Sequence, residues 1–216
     1  MKALFLSASV PVQGRGHYFD TADPFLIQTA VRELVIATIR DYTLVWGGHP
    51  AITPMIWAIC EDVGVEYSNR VVLYQSEFFE QWYPEENRRF GNIELVEKVE
   101  DDREASLLRM RTEMLSRPDL FAAVFIGGME GIAAEYALFR KFHPDLPVLP
   151  VSSPGGAARE LAIQLGVDSK FGGLDFARLF RSHFPPAPQD ASVATEVPPS
   201  SGEERRGALG QSDHIG

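Results

Sequence analysis

The chain has 216 residues, 45% of them hydrophobic, enough for one sizeable core and, on length alone, for one domain or two small ones. A formal net charge of −10 and a pI of about 5.0 argue against a general binder of the nucleic-acid backbone, because that affinity comes from Lys and Arg. Cys60 is the single cysteine, which excludes an intrachain disulfide and a Cys-based zinc site, and no metal site or cofactor is expected.

In chain order, short apolar runs alternate with longer helical patterns. The first run, "ALFLSAS" at 3–9, follows one Lys and meets Pro11. It is too short for a signal peptide or a membrane span and is expected to be a strand, so a cytoplasmic protein without membrane contact is the default expectation. Residues 24–40 place Leu26, Ile27, Ala30, Val31, Leu34 and Val35 on one stripe, with Asp23 as N-cap and Pro24 at the first helical position. "TLVWGG" at 43–48 is the second strand and 50–63 the second helix, whose apolar pattern absorbs Cys60. "RVVLYQS" at 70–76 is the third strand. After it comes an aromatic cluster of Phe78, Phe79, Trp82 and Tyr83, either a core or dimer-contact helix or a stacking wall for a nucleobase.

"IELVEKV" at 93–99 alternates in polarity and predicts an edge strand. A helix is expected at about 102–116, a strand at 121–128, a helix at about 130–142, a strand at 147–153 and a helix at about 155–165. Most of the strand runs lack alternation, which fits a parallel sheet buried on both faces. "LDFARLFRSHF" at 174–184 predicts a last amphipathic helix. From Pro185 the composition turns to Pro, Ser, Gly and charge, and 185–216 are expected to be a disordered acidic tail. The β-α alternation predicts a doubly wound, mainly parallel α/β sheet flanked by helices, one domain over residues 1–184.

In such sheets ligands bind outside the C-terminal strand ends, near the point where the winding reverses. The strand ends here offer Ser7 and Ser9, then Gly47, Gly48 and His49, then Gln75 and Ser76, then Gly127, Gly128, Met129, Glu130 and Gly131. Small residues let backbone approach a ligand, and each following helix offers free N–H groups and a positive dipole end. Several such turns on one edge favour a ligand crevice, although none is a Walker loop or a G-x-G-x-x-G turn. No second His lies near His49 in sequence; it either packs at a helix start, donates to a phosphate or serves in acid–base work.

"LVWGGHPAITPMIWAICEDVG" (44–64), "REASLLRMRTEML" (103–115) and "FIGGMEGIAAE" (125–135) resemble, in this order, the motifs of the LOG phosphoribohydrolases. The wording is most similar to the third cluster of the bacterial SLOG superfamily of Rossmann-like nucleotide-ligand domains, over roughly residues 2–166. The resemblance implies a nucleotide-like ligand and a homodimer. It also implies that Gly127, Gly128 and Gly131 are the motif glycines and that Glu135 is the glutamate that assists cleavage between base and ribose 5′-phosphate. Arg111 matches the family's catalytic arginine, with Arg109 as the rival. Residues two apart on a helix do not share a face, so only one of the two is expected in the site.

The chain departs from the motif: Met129 and Glu130 stand where the family has one residue, and Ile132 replaces its threonine. Glu130 either caps free N–H groups or accepts from ribose hydroxyls, and it repels a phosphate at that helix end. These departures favour a domain that binds a nucleotide or nucleotide-derived small molecule, as sensor or processing module. The alternatives are an N-glycoside hydrolase acting on a nucleotide, and a partner-binding domain with a vestigial site.

Overall fold

The computed structural model describes residues 1–186, in which six strands form one sheet. They are β1 (Ala3–Ser9), β2 (Thr43–Trp46), β3 (Val71–Ser76), β4 (Asn92–Val96), β5 (Leu120–Gly127) and β6 (Val148–Val151). The helices are α1 (Tyr18–Thr21), α2 (Pro24–Thr38), α3 (Thr53–Val63), α4 (Arg103–Leu115), α5 (Gly131–Phe142), α6 (Gly156–Gln164), α7 (Asp168–Phe171) and α8 (Phe176–His183). The expected disordered tail lies, beyond Pro186, outside the described residues.

The spatial order is β4-β3-β2-β1-β5-β6, with every neighbouring pair parallel. The chain steps outward from β1 to β4 and then returns to the other side of β1. The winding therefore reverses at β1, and the C-terminal ends of β1, β2 and β5 border the crevice that this reversal opens. The arrangement is the Rossmann-like doubly wound sheet that the β-α alternation predicts.

The strands are continuous in hydrophobicity because both faces are covered. Leu4, Leu6, Leu44, Trp46, Val124 and Ile126 face α2, α3 and α8, while Ala3, Phe5, Val45, Ala123 and Phe125 face α4, α5 and α6. Helix starts follow their caps. Asp23 Oδ1 accepts from Phe25 N at 2.9 Å and Leu26 N at 3.1 Å, and Asp102 Oδ1 accepts from Ala105 N at 3.0 Å. Among the described residues no helix is long and apolar enough to cross a membrane.

Three segments differ from expectation. β2 stops at Trp46, because Gly48 turns the chain with φ 75°. β4 is the edge strand, but it ends at Val96 and leaves Leu95 61% exposed, so its alternation does not map onto an inside and an outside. The aromatic segment forms two 3-10 turns, Glu77–Trp82 and Glu85–Arg89, which carry the chain from β3 to β4 in place of a crossover helix.

Candidate functional site

A cleft of about 420 Å³ opens above the C-terminal strand ends. β1 contributes Ser7 and Ser9, the turn after β2 contributes Gly47, Gly48 and His49, β3 contributes Gln75 and Ser76, and the start of α5 contributes Met129, Glu130, Gly131 and Glu135. α4 lies across the opening and presents Arg103, Leu107 and Arg111, which are four apart and so share one helix face. Arg109 lies on another face of α4. It pairs with Glu97 at 3.1 Å and Glu113 at 3.3 Å, on the outside of the helix, and does not line the cleft.

Glu135 is held from two sides. Arg111 Nε donates to its Oε1 at 3.1 Å, and Ser7 Oγ donates to its Oε2. The Arg111 and Glu135 side chains are each only 16% exposed. Burial requires such a carboxylate to be paired, and here the partners come from β1 and α4 while the carboxylate comes from α5. One carboxylate thus ties together the three elements that meet at the winding reversal.

Glu130 pairs with Arg15, a residue of the loop that leaves β1. A hydrogen bond to its own backbone N–H, the bond from Arg15 and the charges of Arg15 and Arg103 hold the Glu130 carboxyl below the usual carboxylate range, against a smaller opposing effect of burial. The cleft lining holds three arginines, Arg15, Arg103 and Arg111, against three glutamates, Glu104, Glu130 and Glu135. Its charge is organised in pairs and sums to no large net field.

His49 is a neutral donor. Its Nδ1 accepts from Ala51 N at 3.2 Å, so the ring proton sits on Nε2. Burial, then the charge of Arg15, lowers its pKa from the ordinary 6.5. Gln75 lines the cleft, but its amide is committed to protein partners. Nε2 donates to Gly47 O at 2.9 Å and Tyr74 O at 2.7 Å, and Oε1 accepts from Asn87 Nδ2 at 3.0 Å. Ser76 Oγ caps the first 3-10 turn. Phe79, Trp82 and Tyr83 give the cleft an aromatic side, with the Arg103 guanidinium 5.9 Å from the Phe79 ring centre. Tyr83 donates to Ser76 O at 2.6 Å, and burial followed by the charges of Glu80 and Glu77 pushes its phenol up to about 12.

Gly127 and Gly128 sit behind the cleft and do not line it. Their φ values are 62° and 78°, Gly128 N donates to Ser9 O at 2.8 Å, and Gly128 O accepts from Ala157 N at 3.0 Å. A Cβ on Gly127 would meet Ser9 O at 2.7 Å, and one on Gly156 would meet Gly128 O at 2.9 Å. The double glycine therefore serves the meeting of β1, β5 and α6, three backbones too close for side chains.

Arg15 and Arg103 line the cleft but are not among the site residues expected from the sequence. A signal for Arg15 was present, because Gly14-Arg15-Gly16 follows β1 as the other glycine turns follow their strands. Among the described residues no group of three or more His, Cys, Asp or Glu side chains is disposed to hold a metal.

No curated protein and no solved structure matches the chain. The model of the SLOG cluster3 family matches residues 17–184, from the loop after β1 to the end of α8 and so across nearly every wall of the cleft. With most of its length matched and the Rossmann-like sheet in place, the chain belongs to the SLOG cluster3 family.

Proposed function

We propose that the cleft binds a nucleotide or a nucleotide-derived small molecule, and that the protein acts as a sensor or processing module for it. The observation that carries this reading is that aromatic rings and arginines line one cleft together. Phe79, Trp82 and Tyr83 line it with Arg15, Arg103, Arg111 and the glycine turn at Gly47 and Gly48. Every nucleobase has a π-face for aromatic rings, and the arginines suit phosphate oxygens. Ser9, neutral His49 and the backbone at Gly48 line the same cleft and supply neutral polar contacts.

Thermal unfolding of the full chain with AMP, ADP-ribose, NAD and cyclic nucleotides tests this. A ligand at one hundred times its Kd stabilises by about 2.7 kcal/mol, several degrees in a protein of this size. No shift with any of these nucleotides sinks the reading and leaves a partner-binding domain with a vestigial site.

Glu135 favours a second reading, N-glycoside hydrolysis. Its carboxylate is fixed in place by Ser7 and Arg111 while remaining on the cleft wall. A preorganised carboxylate stabilises the positive charge that develops at C1′ as the C1′–N bond breaks. Water then gives its hydroxyl to C1′, and the base leaves with the proton. Release of free base from AMP or NAD, abolished by Glu135→Gln while binding persists, separates this reading from binding alone.

A further inference from the structure

Arg15 stands between Gly14 and Gly16, whose φ values are 83° and 68°. A Cβ on Gly14 would touch nothing within 4 Å, so that glycine serves the bend of the loop and no close packing. The loop carries Arg15 to the cleft, paired with Glu130 and near enough to His49 for its charge to act there. Its only carboxylate partner among the described residues is Glu130, and the two side chains are 48% and 60% exposed. The deeper pair, Arg111 with Glu135, is 16% exposed on both sides. The cleft therefore holds one fixed ion pair, Arg111 with Glu135, and two that water reaches freely, Arg15 with Glu130 and Arg103 with its neighbour Glu104. An exposed pair contributes little, so a better anion readily takes its place.

We infer that Arg15 forms an anion subsite for a phosphate monoester and that Glu130 is its built-in stand-in, displaced when the phosphate arrives. The remainder of the ligand rests on the nucleotide reading above. Guanidinium presents a planar fork that matches two phosphate oxygens, and phosphate near neutral pH carries more charge than a carboxylate. Arg103 lines the same cleft, near enough to Glu130 for its charge to act there, and His49 offers its Nε2 proton without adding charge. Glu130 sets the threshold: an uncharged ligand leaves the pair intact, and a weak anion fails to replace it. The carboxylate that first looked misplaced for a phosphate site is thus what makes the site selective.

Calorimetric titration of the full chain with AMP, adenosine and inorganic phosphate tests the subsite. Glu130→Gln tightens AMP about 2- to 5-fold, the worth of an exposed ion pair, and leaves adenosine unchanged. Arg15→Gln weakens AMP about tenfold, spares adenosine and cancels the gain from Glu130→Gln in the double variant. Arg15→Lys keeps the charge, loses the fork and falls between. The inference is overturned if Glu130→Gln weakens AMP or leaves it unchanged, if Arg15→Gln reduces AMP and adenosine equally, or if wild-type protein binds AMP no better than adenosine. Should it bind neither, the nucleotide reading fails and inorganic phosphate decides the subsite. Phosphate binding strengthened by Glu130→Gln upholds it; phosphate binding that is absent or indifferent to Glu130→Gln overturns it.

Discussion

Replacing Arg111 by methionine keeps the length of the side chain and removes its charge. Glu135 then retains only Ser7 as a donor, beneath a cleft wall where both side chains were 16% exposed. Breaking a fully buried ion pair from one side costs about 3–5 kcal/mol. The cleft admits water to Glu135 once the guanidinium is gone, so the expected loss is smaller, about 2 kcal/mol. In a chain of this size that lowers Tm by roughly 4–8 °C. Arg111→Met/Glu135→Leu removes the stranded charge as well and recovers most of the loss, which makes the coupling between the two sites about 1–2 kcal/mol. Urea unfolding of wild type, both single variants and the double variant, without ligand, measures all four corners. The reasoning fails if Arg111→Met lies within about 0.5 kcal/mol of wild type, or if the double variant loses the sum of the singles.

Two further outcomes are expected. Gly156→Ala forces a Cβ to 2.9 Å from the Gly127 and Gly128 backbone at φ 66°, whereas Gly166→Ala at φ 68° meets nothing within 4 Å. The first costs about 3 kcal/mol or more and the second about 1 kcal/mol, the left-handed penalty alone, so equal losses in urea unfolding contradict the packing described. His49 titrates below 6.5 in the folded state. The unfolded chain therefore takes up this proton first, and the contribution of neutral His49 is complete above 6.5 and lost as pH falls through the folded pKa. Tm followed from about pH 7.5 to 5 falls less steeply in His49→Gln than in wild type, and parallel curves dismiss the effect.

The elements that sequence made legible are those whose identity depends on local chemistry or on complete burial. β1 and β5 are apolar on both sides, and both sides are covered, so no question of inside and outside arises. Asp23-Pro24 announces its helix through a cap that works within one turn. Leu95 carried a strand-like pattern, yet its exposure depends on how far neighbouring segments reach past a sheet edge. The segment 77–89 is rich in aromatics without a helical period, and its 3-10 turns are fixed by side-chain bonds back to β3, Tyr83 to Ser76 O and Asn87 to Gln75.

The site divides in the same way. Strand ends converge wherever the strands are parallel, so Ser7, His49, Gln75 and Glu130 fell on one cleft. Arg109 and Arg111 were separable only by the rotation of α4 about its axis. Burial of Met110 and Met114 sets that rotation and turns Arg111 towards Glu135. Arg15 depends on the path of a loop, which no periodicity records.

The double glycine after β5 has a wider consequence. Its conformation is dictated by neighbouring backbone, Ser9 on one side and Ala157 on the other, and no contact with the cleft is involved. These glycines are fastenings of the sheet. A chain that loses its ligand, or trades it for another, must still keep them to bring β1, β5 and α6 together. A change of ligand would leave these glycines in place and fall instead on side chains that line the cleft, Glu130 and Arg15 among them.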